Sequence, residues 1–341
     1  MAETHAVSLG QSLPFWSIAP FALMLLGIAL IPLRWPHFWE SNANKGLVSA
    51  ILGVPVALYV AIHEPSLLGH TALEYISFIA LLGALFTISG GIVLRGDLRA
   101  TPAINTGFLA VGALLANVIG TTGASMLLIR PLLQTNSERK HVGHIPILFI
   151  FVVSNCAGLL TPLGDPPLFL GYLRGVPFFW TLRLLPEWAF AVTILLTVFY
   201  LLDRRAVARE TVADMQRDVA QQRPLELAGM LNAVYLLGVV AAVLVSPSLP
   251  EGAVREVVRL GAMAAMTGLS LATTARELRR ENGFTFGPIT EVAVLFAGIF
   301  ATMIPALEIL RVRGAEFGIQ APWQFFWLSG ALSSFLDNAP T

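Results

Sequence analysis

Ten stretches of this chain are apolar for about the roughly 20 residues that a helix needs to cross a bilayer, and that property limits the fold more than any other. Seven are uninterrupted: 14–33, 46–62, 71–94, 184–202, 226–246, 254–273 and 289–310. Three, 103–133, 145–173 and 322–341, carry polar or helix-breaking residues in mid-run: "NVIGTTGAS", "SNCAGLLTPLGDPP" and "SSFLDNAPT". Only 12% of the residues are charged and the mean hydropathy is +0.74, against about 25% charged in soluble domains. The expectation is an all-α, multi-pass integral membrane protein, placed in the cell (inner) membrane with the lipid bilayer as its principal partner. Non-helical backbone at membrane depth is tolerated only where protein or a water-filled cavity satisfies its polar groups. The three interrupted runs are therefore expected to point inward.

The charges refine this picture. Twenty-one basic and 21 acidic residues balance, which suggests no nucleic-acid partner. The single Cys156 excludes an internal disulfide. No basic region precedes the first apolar run, so that run reads as a retained span rather than a cleaved signal. No G-x-x-x-x-G-K-[ST] occurs, so any transport is expected to be driven by gradients. The chain is not expected to be an enzyme, and no cofactor is expected beyond sodium and protons as transported or coupling ions.

Short cytoplasmic loops carry the excess of arginine and lysine. Arg34 and Lys45 follow the first run, nothing basic lies between His63 and His70, and Arg95 and Arg99 follow the third. The N-terminus is thus outside and the loops alternate. If 103–133 crossed once, Arg139, Lys140 and the five arginines from Arg204 to Arg223 would face outside. A re-entrant hairpin turning near Thr121, Thr122 and Gly123 returns them to the cytoplasm. Aligning "GALLANVIGTTG" (112–123) with "GALSSFLDNAPT" (330–341) suggests a second hairpin of opposite entry, and hence an inverted repeat, the architecture of secondary transporters. The expected organisation is N-terminal spans in 1–70, a first repeat in 71–202, a solvated cytoplasmic linker in 203–225, and a second, incomplete repeat in 226–341.

"SNCAGLLTPLGDPP" resembles the Gly-Asp-Pro-Pro broken helix of the ion transporter superfamily. "SSFLDNAPT" is similar to the Asp-Asn-x-x-Thr hairpin of its NhaD-type sodium:proton antiporters and citrate-transporter-like (CitMHS) relatives. The resemblance runs from about residue 71 to the end. It implies repeats of a hairpin followed by a broken helix, with paired cation sites at the tips and breaks. Carried over by position, it implies Thr121 and Thr122 at the inner tip, Ser154, Asn155, Gly164 and Asp165 at the first break, and Asp337, Asn338 and Thr341 on the outer hairpin. Two departures stand out: the first hairpin reads Asn-Val-Ile-Gly-Thr-Thr where relatives often carry Asp-Asn or Ser-Asn, and the chain stops at Thr341, before a second broken helix.

Sodium is a hard cation suited to oxygen ligands, and Ser154, Asn155, Thr161, Asp165, Asp337 and Asn338 supply that chemistry, with Ser154, Asn155, Asp165 and Asp337 as the metal set. A carboxylate at this depth is desolvated, which favours its protonated form, whereas a bound cation favours its ionised form. Proton and sodium then compete for one group, which suffices for antiport. The alternative is a citrate or dicarboxylate carrier, the substrate being a small carboxylate instead of a small inorganic cation. A distant alternative, an intramembrane aspartyl protease using Asp165 and Asp337, meets Pro162 where a Gly-x-Gly-Asp motif needs glycine. A homodimer is compatible with all three. Other charges read more plainly: Asp165 as a helix cap ahead of proline, Glu291 as a neighbour of its helix N-terminus, Arg130 as a side chain reaching for the cytoplasmic surface, and His141 and His144 as an H-x-x-H lacking a third metal ligand.

Overall fold

In the computed structural model, residues 9–211, 222–250 and 252–334 are described. The principal helices are α1 (Ala19–Arg34), α2 (Asn42–His63), α3 (Pro65–Ser89), α4 (Pro102–Thr135), α5 (His144–Phe149), α6 (Pro166–Leu173), α7 (Leu185–Val207), α8 (Leu231–Val245), α9 (Ala253–Thr273), α10 (Arg276–Glu281), α11 (Gly287–Arg313) and α12 (Pro322–Ser333). Two short strands, β1 (Val93–Asp97) and β2 (Arg223–Ala228), pair antiparallel with Val93 opposite Ala228. Seven helical stretches among the described residues are long and apolar enough to cross a membrane: Phe15–Arg34, Asn42–His63, Pro65–Ser89, Pro102–Thr135, Trp180–Val207, Leu231–Ser248 and Gly287–Arg313. The chain is an all-α polytopic membrane protein.

Two expected spans shift. The run 226–246 begins in β2, and its helix starts only at Leu231. The run 254–273 is a helix of 21 residues, but Arg255, Glu256 and Arg259 in its first turns keep it out of the uniformly apolar set. Buried Arg259 pairs with Glu256 on the next turn.

By packing, the chain divides into two units, Met1–Ile79 with Phe286–Thr341, and Ala80–Thr285. In the first, α2 lies against α11 through small residues: a methyl group on Gly53 would meet Ala301 Cβ at 3.3 Å. Without a hydrophobic drive between helices in lipid, such close backbone approach is what holds them. Lys45, nearly buried, reaches Glu291 at 2.7 Å. Glu291 thus pairs with a neighbouring helix's cation rather than with its own helix N-terminus. Phe78 stacks on Phe296 with ring centroids 4.8 Å apart, and the Tyr75 hydroxyl donates to the Ala293 carbonyl at 2.9 Å.

The second unit is built around α4. Within its 34 residues only Gly120 leaves helical geometry, with φ 78° and ψ 155°, a region open essentially to glycine alone. The consequence is a reversal. Asn105 Nδ2 donates to Asn136 Oδ1 and Asn136 Nδ2 donates to Asn105 Oδ1, both at 2.9 Å. Residues 31 apart along a straight helix would be about 46 Å from each other. A methyl group on Gly112 would likewise come within 3.1 Å of Leu128 on the opposite arm. The arms 102–119 and 121–135 therefore form a helical hairpin whose tip stands about 22 Å above its base, less than the roughly 30 Å of a hydrocarbon core. One expected hairpin is thus present, with its turn at Gly120, one residue before the expected tip.

The expected break in 145–173 is also present. Helix α5 passes into a π-type turn over Ile150–Cys156 and a 3₁₀ turn over Ala157–Leu159; helical structure then stops until α6 begins at Pro166. Elsewhere in this unit the ribbon β1–β2 is tied to α10: Arg95 grips Glu281 with two bonds of 2.8 Å. The buried Arg279 guanidinium donates to Thr87 O, Ser270 O and Ser270 Oγ.

Candidate functional site

The hairpin tip docks on the helix break. Thr121 N–H donates to the Gly164 carbonyl at 3.1 Å. Asn117, one turn before the tip, accepts the Leu160 N–H on its side-chain oxygen at 2.8 Å and the Thr161 hydroxyl on its backbone oxygen. Its own amide nitrogen donates to Ala113 O at 2.9 Å. Other backbone groups freed by the break are met from further elements: Thr181 donates to Leu160 O and Trp188 Nε1 to Ala157 O, each at 2.9 Å. This is how irregular backbone persists at membrane depth. Two glycines allow the compact turn. A methyl group on Gly158 would lie 2.6 Å from Gly164 O, and one on Gly164 would strike Gly158 O in return.

The named candidates divide on this geometry. Thr121, Thr161 and Gly164 meet at the tip contact, with Thr121 buried. Ser154 bonds to Ser125 on the descending arm at 2.9 Å. Asn155 is exposed and shares a face with exposed Phe151 and Leu159, and Thr122 is exposed as well; neither joins the tip contact. Asp165 occupies the N-cap position of α6 with proline next to it, yet its side chain makes no capping hydrogen bond. The plain capping role is therefore unfilled. Asp337, Asn338 and Thr341 lie outside the described residues.

Asn117 was missed by sequence reading, although it stands in the quoted "NVIGTTGAS". The available signal was an amide within one turn of the expected reversal, three residues before Gly120. A second polar cluster went unread. At the hairpin base, fully buried Asp203 accepts Asn105 Nδ2 at 2.9 Å, Arg139 Nη2 at 2.7 Å and His144 Nε2 at 3.0 Å. The side chain of Glu210 is also buried, taking the N–H groups of Lys140 and His141. These two acids belong to the packed hairpin base rather than to a solvated linker. Arg130 does not simply extend to the surface; its Nη1 donates to Glu281 O at 2.9 Å.

No basic residue occurs in 117–125 or 154–165, so the tip and break offer hydroxyl, amide and carbonyl oxygens with one carboxylate. Among the described residues no group of three or more histidines, cysteines and acids could hold a metal ion. An alkali cation held by mixed oxygens falls outside such a group. A family profile described as "Putative citrate transport" (CitMHS_2) matches residues 10–341. The chain belongs to this family. No curated protein and no solved structure matches the chain. Membership in CitMHS_2 makes it a membrane transporter of the citrate and ion class, and the match takes in both the hairpin and the break.

Proposed function

We propose that this CitMHS_2 member is a secondary active transporter that exchanges sodium for protons at Asp165, by alternating access. The observation that carries the reading is the hairpin tip docked on the break, where Asn117, Thr121 and Thr161 gather oxygen-bearing groups next to the segment that carries Asp165, and neither 117–125 nor 154–165 contains a basic residue. Such a lining suits a hard cation, and half-helix ends at mid-membrane supply carbonyl ligands and compensating dipoles. An ionised Asp165 would hold the cation; a proton would displace it. Ser154, Asn155, Asp337 and Asn338 remain proposed ligands, with Thr341 beside them on the proposed outer hairpin.

A second reading, a citrate or dicarboxylate carrier, is favoured by the family description. In that case the cation at Asp165 would offset the charge of the anionic substrate. Proteoliposomes carrying the full-length protein and an internal pH dye separate the two. Sodium- or lithium-driven proton flux without citrate, lost in Asp165→Asn, is the expected result. Flux that appears only with citrate would replace the first reading by the second.

A further inference from the structure

The cluster at the base of the hairpin has a charge count that its neighbours leave open. Asp203 and Glu210 bring two buried carboxylates, and Arg139 brings one buried guanidinium, 2.7 Å from Asp203 and 3.9 Å from Glu210. Arg139 also donates to Asn136 Oδ1 at 2.7 Å, so the same side chain holds the reciprocal asparagine pair that closes the base. Two imidazoles complete the cluster, each on a different acid: His144 on Asp203 at 3.0 Å and His141 on Glu210 at 3.3 Å. The H-x-x-H spacing thus serves two separate carboxylates, not one metal. Among the described residues the other charged groups on these segments are Glu138 and Lys140, of opposite sign on the same loop, exposed Arg204 and Arg205 on α7, and exposed Arg209 beside Glu210; the ring of Phe199 lies against His144.

We propose that His144 and His141 make the hairpin base a proton-binding latch, tightening the clasp between the two arms of α4 when they are protonated. Histidine is the side chain that gains its charge between pH 5 and 8, and both imidazoles are reached by solvent, with side chains 19% and 47% exposed. Buried charge is tolerated when it is paired. A proton on either ring balances the second carboxylate; without one, a net negative charge stays enclosed beside the asparagine pair. Glu210 is ionised throughout this range: burial pushes its carboxyl up, but the N–H groups of His141 and Lys140 and the His141 ring hold it below its ordinary value. Acidification on the side of the membrane where the base lies should then immobilise the hairpin, and alkalinisation should release it. Asp203 acts here as a positioning residue for the hairpin base. The functional consequence rests on the reading that the tip carries the transport site.

Hydrogen–deuterium exchange on the full-length protein in nanodiscs tests the latch apart from transport. After correction for intrinsic rates, amides of 102–135 should exchange several-fold faster at pH 8 than at pH 5.5. In His144→Gln, which keeps a donor nitrogen but cannot titrate, the difference should shrink, and in His144→Gln/His141→Gln it should vanish. Asp203→Asn should remove it as well. Equal exchange at the two pH values in the wild type, or an unchanged difference in the double variant, would overturn the latch. Transport assays on the same proteins separate the two ideas. PH-dependent protection without cation or citrate flux would keep the latch and sink the transport reading. Flux with one pH profile in wild type and double variant would do the reverse.

Discussion

Asn105 and Asn136, 31 residues apart in sequence, exchange two side-chain hydrogen bonds of 2.9 Å. That pair closes the base of the hairpin into which the 34-residue apolar helix reverses at Gly120. Cysteines placed at both positions in a Cys156→Ser background should therefore be bridged by dibromobimane, which joins only neighbouring thiols. A crossing helix would hold them about 46 Å apart, and absence of any bridged product would contradict the hairpin.

Asn117 makes three hydrogen bonds, two of which join the tip to the break. Asn117→Ala leaves the Leu160 N–H buried without its acceptor, which costs about 1–3 kcal/mol. Lower thermal stability in detergent is expected, together with a larger loss of transport per folded molecule than stability alone explains.

The facing backbones of Gly158 and Gly164 leave no room for a side chain. Alanine at either position should reduce folded yield and abolish flux. Gly107→Ala on the first hairpin arm, where a methyl group meets nothing within 4 Å, should be neutral by both measures. Wild-type behaviour of the Gly158 and Gly164 variants would mean that the break is looser than described.

Removing Glu291 strands Lys45, whose side chain is 5% exposed. Breaking buried pairs costs roughly 3–5 kcal/mol, but Glu291 is partly hydrated, so about 1–2 kcal/mol is expected for Glu291→Gln. The readout is the thermal midpoint, with transport per folded molecule unchanged. Lost transport at normal stability would give this pair a role in the mechanism.

Acid sensitivity should trace to the ribbon. The Arg95 guanidinium bound to Glu281 outweighs desolvation and holds its carboxyl below its ordinary value of 4.5. A depressed carboxylate stabilises the fold above that value and loses its contribution as pH falls through the folded-state value. Exchange protection of 93–97 should therefore drop below pH 4.5 in the wild type, and Glu281→Gln should flatten that drop. A wild type whose ribbon is indifferent to acid would exclude the coupling.

What could be read from sequence followed from how many residues a signal spans. Long apolar runs announced the spans, and the polar letters inside 103–133 and 145–173 announced a reversal and a break, because lipid leaves no other use for them. Gly120 lies one residue from the expected turn. The ribbon was hidden since five or six apolar and charged residues beside a span carry no period that separates strand from helix. Asp203, Glu210, His141 and His144 were hidden for another reason: their partners lie 59 to 69 residues away, and no local pattern encodes a pairing across that distance. The same holds for Lys45 with Glu291. At the candidate site, oxygen-ligand chemistry pointed to Thr161 and Asp165 and the family resemblance to Thr121 and Gly164, whereas the exposure of Asn155 depends on which side of a π-type turn it falls, a rotation that composition does not fix.

The ladder between Val93 and Ala228 also has a consequence for synthesis. It joins the two ends of a 135-residue stretch that contains the hairpin, the break and α7. At about 5–20 residues per second, some 7–27 seconds separate translation of the two strands. During that interval the hairpin is already made while the strand that fastens its lobe does not exist. The hairpin, whose base Asn105 and Asn136 already close, must therefore stand without the ribbon until Arg223–Ala228 has been translated.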